Sequence, residues 1–128
     1  MIKFDEQVPQ HFPDGVYYCL STYEIDPDFK QNVIVSTTVD GYLRMITSDI
    51  KRRTFYVYVL EPKGEVKVPD VSESPRSELT KEVWLYGGVS TKLVGRISII
   101  EKKTKPLVYK NKDGLDVQIY DWIWEIEM

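Results

Sequence analysis

Residues that build most metal and catalytic sites are scarce in this sequence. Among its 128 residues there is one cysteine, Cys19, and one histidine, His11. A zinc site of the Cys/His type needs four ligands, so these two residues exclude it by number. A nucleophile would have to reach His11, the only imidazole base, across the fold. We therefore predict that the chain is not an enzyme and that it has no catalytic residues, no metal and no cofactor.

Long apolar segments are also missing. No stretch approaches the roughly 20 apolar residues that span a bilayer, and residues 1–15 have no apolar region typical of a signal peptide. A lone cysteine forms no internal disulfide. Together these absences predict an intracellular, cytoplasmic protein without a membrane partner. Residues 86–92 lack the spacing of a phosphate-binding loop, and no small-molecule substrate is evident.

Alanine, the strongest helix former, does not occur at all. By contrast, 50 of the 128 residues are valine, isoleucine, threonine, tyrosine, phenylalanine or tryptophan, the types that suit a pleated sheet. The length is that of one domain with its own core. The composition therefore predicts a single β-rich domain over residues 1–128 in which helix is a minor component.

Alternating apolar residues predict strands along most of the chain. The predicted strands cover 16–25, 33–39, 42–47, 52–60, 83–88, 92–102, 106–111 and 117–128. Asp40-Gly41 lies between two of them and is the strongest hairpin signal in the sequence. The Asn-Lys-Asp-Gly run at 111–114 predicts a second hairpin, and Gly95 predicts a bulge within its strand.

Two segments interrupt the strand pattern. Residues 1–14 contain Pro9 and Pro13 and are predicted to form an extended N-terminal arm or edge strand. Residues 63–82 are polar, which predicts a long connection in which Ser74 caps a short helix. The resulting fold class is all-β, or β-rich with one short helix. We expect a single-domain small barrel or sandwich of seven to eight mostly antiparallel strands, and an oligonucleotide-binding barrel is one compatible arrangement.

The charges of the chain are unevenly distributed. The net charge is only −3, but residues 44–63 carry a net +3 and residues 92–112 a net +6, whereas residues 1–31 and 113–128 are acidic. Lysines and arginines crowded in this way bind phosphates through a sequence-independent attraction. They also solvate strand ends and block edge pairing, so the pattern alone leaves both interpretations open.

The first basic segment contains the decapeptide 51–60, Lys-Arg-Arg-Thr-Phe-Tyr-Val-Tyr-Val-Leu. Alternation divides it into two sides. The more apolar side, assigned to the core, carries Phe55, Val57 and Val59. The opposite side, assigned to solvent, carries Arg52, Tyr56 and Tyr58. A cation followed by two tyrosines on one side of a strand is suited to stacking of nucleic-acid bases.

Two functions follow from these observations. The first is a non-catalytic binding module that acts through protein–protein contacts or as a homo-oligomer, as adaptor, inhibitor and viral or structural proteins do. The alternative is a single-stranded nucleic-acid-binding protein with an oligonucleotide-binding type of barrel. The residues predicted to contact the nucleic acid or the protein partner are Arg52, Arg53, Tyr56, Tyr58, Lys102, Lys103, Lys105, Lys110 and Lys112.

Overall fold

A computed structural model describes the chain at residues 2–4, 15–102, 104–122 and 126–127, with eleven strands and two helices. The strands are β1 (Ile2–Phe4), β2 (Tyr17–Ser21), β3 (Asp28–Phe29), β4 (Val33–Ser36), β5 (Ile50–Pro62), β6 (Val66–Lys67), β7 (Glu82–Leu85), β8 (Val89–Lys102), β9 (Thr104–Lys110), β10 (Asp116–Trp122) and β11 (Ile126–Glu127). The helices are α1 (Val39–Met45) and α2 (Ser77–Thr80).

Nine of the strands form one sheet, in the order β11-β1-β8-β5-β2-β4-β7-β6, with β3 paired to β8. All of its pairs are antiparallel except β1 with β11. The β-rich, mostly antiparallel class is therefore confirmed. The path of hydrogen-bonded neighbours ends at β11 and at β6, so the sheet is open and is not closed into a barrel.

The long strands β5 and β8 form the centre of the sheet, and each buries side chains on both of its faces. One group of buried side chains, here the first cluster, consists of Tyr18, Leu20, Leu43, Ile50, Phe55, Val57, Ile97 and Ile99. The second cluster consists of Val35, Tyr58, Leu60, Val83, Leu85 and Val89. Helix α1 and its C-cap residue Ile46 pack on the first cluster, the helix through Leu43 and the half-buried Val39 and Tyr42. Burial of this much apolar surface on both sides is the main stabilising contribution to the fold.

The hairpin predicted at Asp40-Gly41 is wrong, because these residues lie in helix α1. The side chain of Thr38 caps the helix by accepting a hydrogen bond from the N–H of Gly41 at 2.8 Å. Gly41 is buried against α2, where a Cβ atom would lie 2.5 Å from the Oγ of Ser36 and closer still to the carbonyl oxygen of Thr80. This glycine therefore serves close helix packing and not a turn.

The connection predicted at 63–82 contains more structure than expected. It begins with the short edge strand β6 and ends with α2, which covers only Ser77–Thr80. Arg76, not Ser74, is the residue before the first turn, and it makes no capping hydrogen bond with its side chain. The hydroxyl of Ser74 instead donates to the carboxylate of Glu82, because that buried carboxylate needs donors.

The hairpin predicted at residues 111–114 is confirmed. Strands β9 and β10 pair antiparallel as a separate two-stranded sheet, and Gly114 has the positive φ of 76° that the turn requires. The predicted arm at 1–14 contributes β1 at Ile2–Phe4, and its residues 5–14 lie outside the described residues. The predicted strand 117–128 corresponds to β10 and β11, with 123–125 and 128 outside the described residues.

Candidate nucleic-acid interface

Antiparallel pairing of β5 with β8 places the start of the first basic segment beside Lys102 of the second, at one end of the sheet. Ile50 lies opposite Lys102, Lys51 opposite Glu101 and Arg53 opposite Ile99. The beginning of β5 and the end of β8 are therefore neighbours. We call this region, defined by Lys51, Arg52, Arg53 and Lys102, the cationic end.

Arg52 adopts a left-handed backbone conformation, with φ of +49°, inside a strand. This conformation costs a residue with a side chain about 1–2 kcal/mol. Its consequence is visible in the burial pattern, because residues 51–54 are all exposed between the buried Ile50 and Phe55. Regular alternation would have turned every second side chain of this run towards the core. The left-handed residue thus presents three consecutive cations to solvent.

Several other cations on the described surface are held by carboxylates. Ion pairs join Arg44 to Asp40, Lys63 to Asp28, Lys67 to Glu73 and Lys112 to Asp70. Among the residues whose side chains the structure describes, no such pair involves Lys51, Arg52 or Arg53. None of these described carboxylates therefore cancels the positive charge of the three residues.

A strip of polar side chains extends from the cationic end along β5 and β8. Thr54 lies opposite Ser98, and their hydroxyl oxygens are 3.2 Å apart. Two residues further along β5, the half-buried Tyr56 lies opposite the exposed Arg96. Directly opposite residues of an antiparallel pair share one face, so these four side chains lie side by side. We call Thr54, Tyr56, Arg96 and Ser98 the polar strip.

The predicted exposure of Tyr58 is wrong, because this side chain is only 4% exposed and belongs to the second cluster. Strand β2 lies on one side of β5, and β3 pairs with β8, which lies on the other side of β5. The chain between β2 and β3 therefore crosses β5. During this crossing the N–H of Ile25 donates to the phenolic oxygen of Tyr58 at 2.9 Å. The segment that follows β2, predicted as the end of the strand 16–25, therefore covers the face assigned to solvent.

The core side of the decapeptide is confirmed. Phe55 and Val57 are buried in the first cluster and Val59 packs against it. The bulge predicted at Gly95 is also confirmed, since the β5–β8 register shifts where Val57 faces Gly95 but Tyr58 faces Leu93. The shift leaves Val94 as the additional residue of β8.

The predicted lysines do not form one group. Lys102 occupies the cationic end by its backbone position, and Lys105 lies opposite Asp121 in the β9–β10 hairpin. Lys103 lies outside the described residues. Lys110 is exposed at the far end of β9, opposite Asp116. Lys112 is at the turn beyond it.

Lys112 is attached to the connection that contains α2. Its ammonium group lies 2.6 Å from the carboxylate of Asp70, and its backbone N–H donates to Glu78 at 3.2 Å. The hydrogen bond from Lys112 lowers the pKa of Asp70 below its ordinary value. Tyr109 donates its hydroxyl to the same Glu78. Lys112 thus attaches the β9–β10 hairpin to this connection, and its charge is already paired with that of Asp70.

A shallow cleft of about 290 Å³ lies beside this docking contact, lined in part by Asp70, Glu78 and Glu82. Glu82 is 9% exposed, and it accepts hydrogen bonds from Ser74, from Thr80 at 3.1 Å and from the indole N–H of Trp84 at 2.9 Å. A carboxylate satisfied by three donors inside the protein is a structural group.

Among the residues that the structure describes, no group of three or more histidine, cysteine, aspartate or glutamate side chains is arranged to hold a metal ion. Cys19 is half-buried, its Sγ lies 3.6 Å from the hydroxyl of Tyr42, and burial raises the pKa of the thiol. Neither described helix is long and apolar enough to cross a membrane.

Four residues of the site were absent from the sequence-based set: Lys51, Thr54, Arg96 and Ser98. A signal for three of them is present as Thr-x-Tyr at 54–56 and Arg-x-Ser at 96–98, which place polar side chains on one face of each strand. Recognising it requires knowing that β5 pairs with β8 in this register. Comparison of the chain with protein-family models, with curated proteins and with solved structures gave no match.

Proposed function

We propose that this chain is a non-catalytic nucleic-acid-binding module that contacts the phosphate backbone at the cationic end. The observation that carries the proposal is the pairing of the start of β5 with the end of β8, which places Lys102 of the second basic segment beside the three cations of the first. Phosphates attract lysine and arginine by a long-range interaction that depends on local charge more than on net charge. The net charge of −3 is therefore compatible with the proposal.

Electrostatic binding by this site has a characteristic salt dependence. With three to four phosphate contacts on a single strand, the logarithm of the affinity falls with a slope of roughly −2 to −3 against the logarithm of the salt concentration. Between about 50 and 200 mM salt, this slope weakens binding roughly 15- to 50-fold.

Fluorescence anisotropy with labelled single-stranded DNA and RNA tests the proposal. The variant combines Lys51→Ala, Arg52→Asn and Arg53→Ala, because asparagine tolerates the left-handed position. We expect this variant to bind at least about tenfold more weakly at low salt and to have a shallower salt dependence. Unchanged affinity in the triple variant, or no binding by the natural chain at low salt, would refute the proposal.

A matched control is available elsewhere on the surface. The variant Lys30→Ala, Lys81→Asn, Lys92→Ala removes three exposed cations, and Lys81 also has a left-handed backbone, with φ of +53°. Net charge and the kind of substitution are thus the same in both variants. We expect the control to bind nearly as the natural chain does, because its charges lie away from the cationic end.

A second candidate function is contact with a protein partner or a second copy of the chain. Its support is the edge strand β6, which pairs only with β7 among the described strands, beside the exposed Val66, Val68 and Ile34. Val68 is 75% and Ile34 53% exposed. Unpaired backbone and apolar side chains at an edge suit strand addition. Light scattering over a concentration series tests self-association, and a monomer at all concentrations would exclude it.

A further inference from the structure

We infer that Tyr56 and Arg96 together form a stacking site for one base of a single strand. This inference rests on the proposed function, because the cationic end has to hold the backbone of the same strand. It assigns the polar strip a role in selecting single strands over duplexes.

Tyr56 and Arg96 are directly opposite each other in the β5–β8 pair. Cβ atoms of such residues are about 4.5–5.5 Å apart on the same face of the sheet. An aromatic ring and a planar guanidinium at this separation offer two flat surfaces of the kind on which bases stack. Stacking on these groups tolerates all bases, since every base has a π-face.

The ring of Tyr56 is supported by the protein on one side. The residue is half-buried and packs against the second cluster, whose member Tyr58 is held by Ile25. A supported ring loses little conformational freedom when a ligand covers its exposed part. The burial of Tyr58, which removes that residue from the predicted site, therefore strengthens the platform under its neighbour.

The polar strip leads from this pair to the cationic end without interruption. Thr54 and Ser98 lie between them, and their hydroxyl groups are donors for phosphate oxygens. Lys51 is five residues from Tyr56, about 17 Å along the strand at 3.4 Å per residue. One strand can therefore cross from the cations to the tyrosine. A duplex keeps its bases stacked inside the helix, so its bases do not reach the ring.

The test compares two labelled strands of equal length and charge, oligothymidine and a strand composed of abasic sites. At one salt concentration we expect the natural chain to bind oligothymidine roughly 5- to 100-fold more tightly than the abasic strand. Tyr56→Leu should lower the affinity for oligothymidine to that of the abasic strand and leave the abasic affinity unchanged. Tyr56→Phe, which keeps the ring, should retain the preference.

Two further variants control for indirect effects. Tyr86→Leu removes another half-buried tyrosine, which follows β7 away from the cationic end, and should leave both affinities unchanged. Arg96→Lys keeps the positive charge but lacks the planar guanidinium group. It should therefore weaken binding of oligothymidine and leave binding of the abasic strand unchanged. Thermal unfolding of each variant confirms that it is folded.

Two results would overturn the inference. Equal affinity of the natural chain for both strands, with the cationic-end triple variant still weakening both, would reject base stacking while leaving the proposed phosphate contact intact. Equal affinity of the natural chain for oligothymidine and for a duplex of matched charge would also reject base stacking and leave the proposed phosphate contact intact. Absence of binding to either strand would reject the proposed function and the inference together.

Discussion

The phenolic oxygen of Tyr58 accepts a hydrogen bond from the backbone N–H of Ile25 at 2.9 Å, on a side chain that is 4% exposed. Tyr58→Phe removes the acceptor and leaves the N–H without a partner. We expect this variant to lose about 1–3 kcal/mol in the free energy of unfolding, measured by urea denaturation. Tyr56→Phe serves as control and should change stability by less than about 0.5 kcal/mol. Equal urea midpoints for the two variants would contradict the assignment.

The same hydrogen bond explains why the sequence could not assign the faces of β5 correctly. Alternation identifies Phe55 and Val57 as one side, but it gives no information on what covers the other side. The covering segment, residues 22–27, is predicted in part as the end of the strand 16–25, because alternation continues there, whereas β2 ends at Ser21. Its path across β5 depends on β3 pairing with β8, a contact between distant parts of the chain.

Gly41 provides a second test of the packing between the two helices. In isolation, Gly→Ala stabilises a helix by roughly 1 kcal/mol. At this position the new Cβ would lie too close to the Oγ of Ser36, at 2.5 Å, and closer still to the carbonyl oxygen of Thr80. We therefore expect Gly41→Ala to destabilise the protein by about 2 kcal/mol or more, as overpacked sites do.

Gly114→Ala separates the steric effect from the backbone effect. A Cβ at Gly114 meets no atom within 4 Å, but its φ of +76° is unfavourable for alanine. We expect a smaller loss of about 1 kcal/mol there. A Gly41→Ala variant as stable as the natural chain in urea would show that α1 and α2 are not packed closely.

The two glycines also show which turns a sequence can predict. Around Gly114 the local signal is sufficient, because the turn is closed by its own backbone hydrogen bond from Gly114 to Asn111 at 2.9 Å. Around Gly41 the Asp-Gly signal competes with the cap at Thr38 and with packing against Thr80. That packing joins residues about 40 positions apart, so the local pattern does not reveal it.

Acid should remove the stabilisation that three surface ion pairs contribute, in a defined pH range. Hydrogen bonds from Lys63, Lys112 and Lys67 lower the pKa values of their partner carboxylates, which are Asp28, Asp70 and Glu73. A lowered folded-state pKa means that the stabilisation is present above the unfolded values, 3.8 for aspartate and 4.5 for glutamate. It is lost as the pH falls through the lower folded values. The urea midpoint should therefore decrease below about pH 4.5.

The variant Asp28→Asn, Asp70→Asn, Glu73→Gln should reduce this decrease. Substitution of Glu65, Asp113 and Asp116, exposed carboxylates outside the ion pairs, by the corresponding amides is the matched control and should leave it nearly unchanged. All three ion pairs are at the surface, so about 1 M salt should diminish the difference between the variants. The same pH dependence in both triple variants would show that these ion pairs do not contribute.

Prediction of the site was limited by the same long-range contacts. Strand alternation assigns Arg52 to solvent, where the structure has it, but it places Arg53 on the side of Phe55 and Val57, although Arg53 is exposed as well. Arg96 was counted only as part of a basic segment, since its position opposite Tyr56 depends on strand register. Lys112 looked equivalent to the other lysines, yet Asp70 neutralises it from a connection about 40 residues earlier in the chain. The left-handed backbone at Arg52 has no sequence signal, because glycine or asparagine would be expected there.

That backbone conformation allows stability and binding to be separated at one residue. Glycine adopts φ of +49° without strain, whereas alanine does not, so Arg52→Gly should be more stable than Arg52→Ala by about 1 kcal/mol in urea. At the neighbouring Arg53, where φ is not positive, the order should reverse and Arg53→Gly should be the less stable variant, by roughly 0.5–1 kcal/mol.

Binding should respond differently, because it depends on the guanidinium group and not on the backbone. Arg52→Gly and Arg52→Ala should weaken binding to single-stranded DNA to the same extent, and each should make the slope of log affinity against log salt shallower by about 0.7. If Arg52→Gly stabilised the protein without weakening binding, the left-handed residue would have no part in presenting charge. A stability order at Arg52 equal to that at Arg53 would instead show that the strand is regular there.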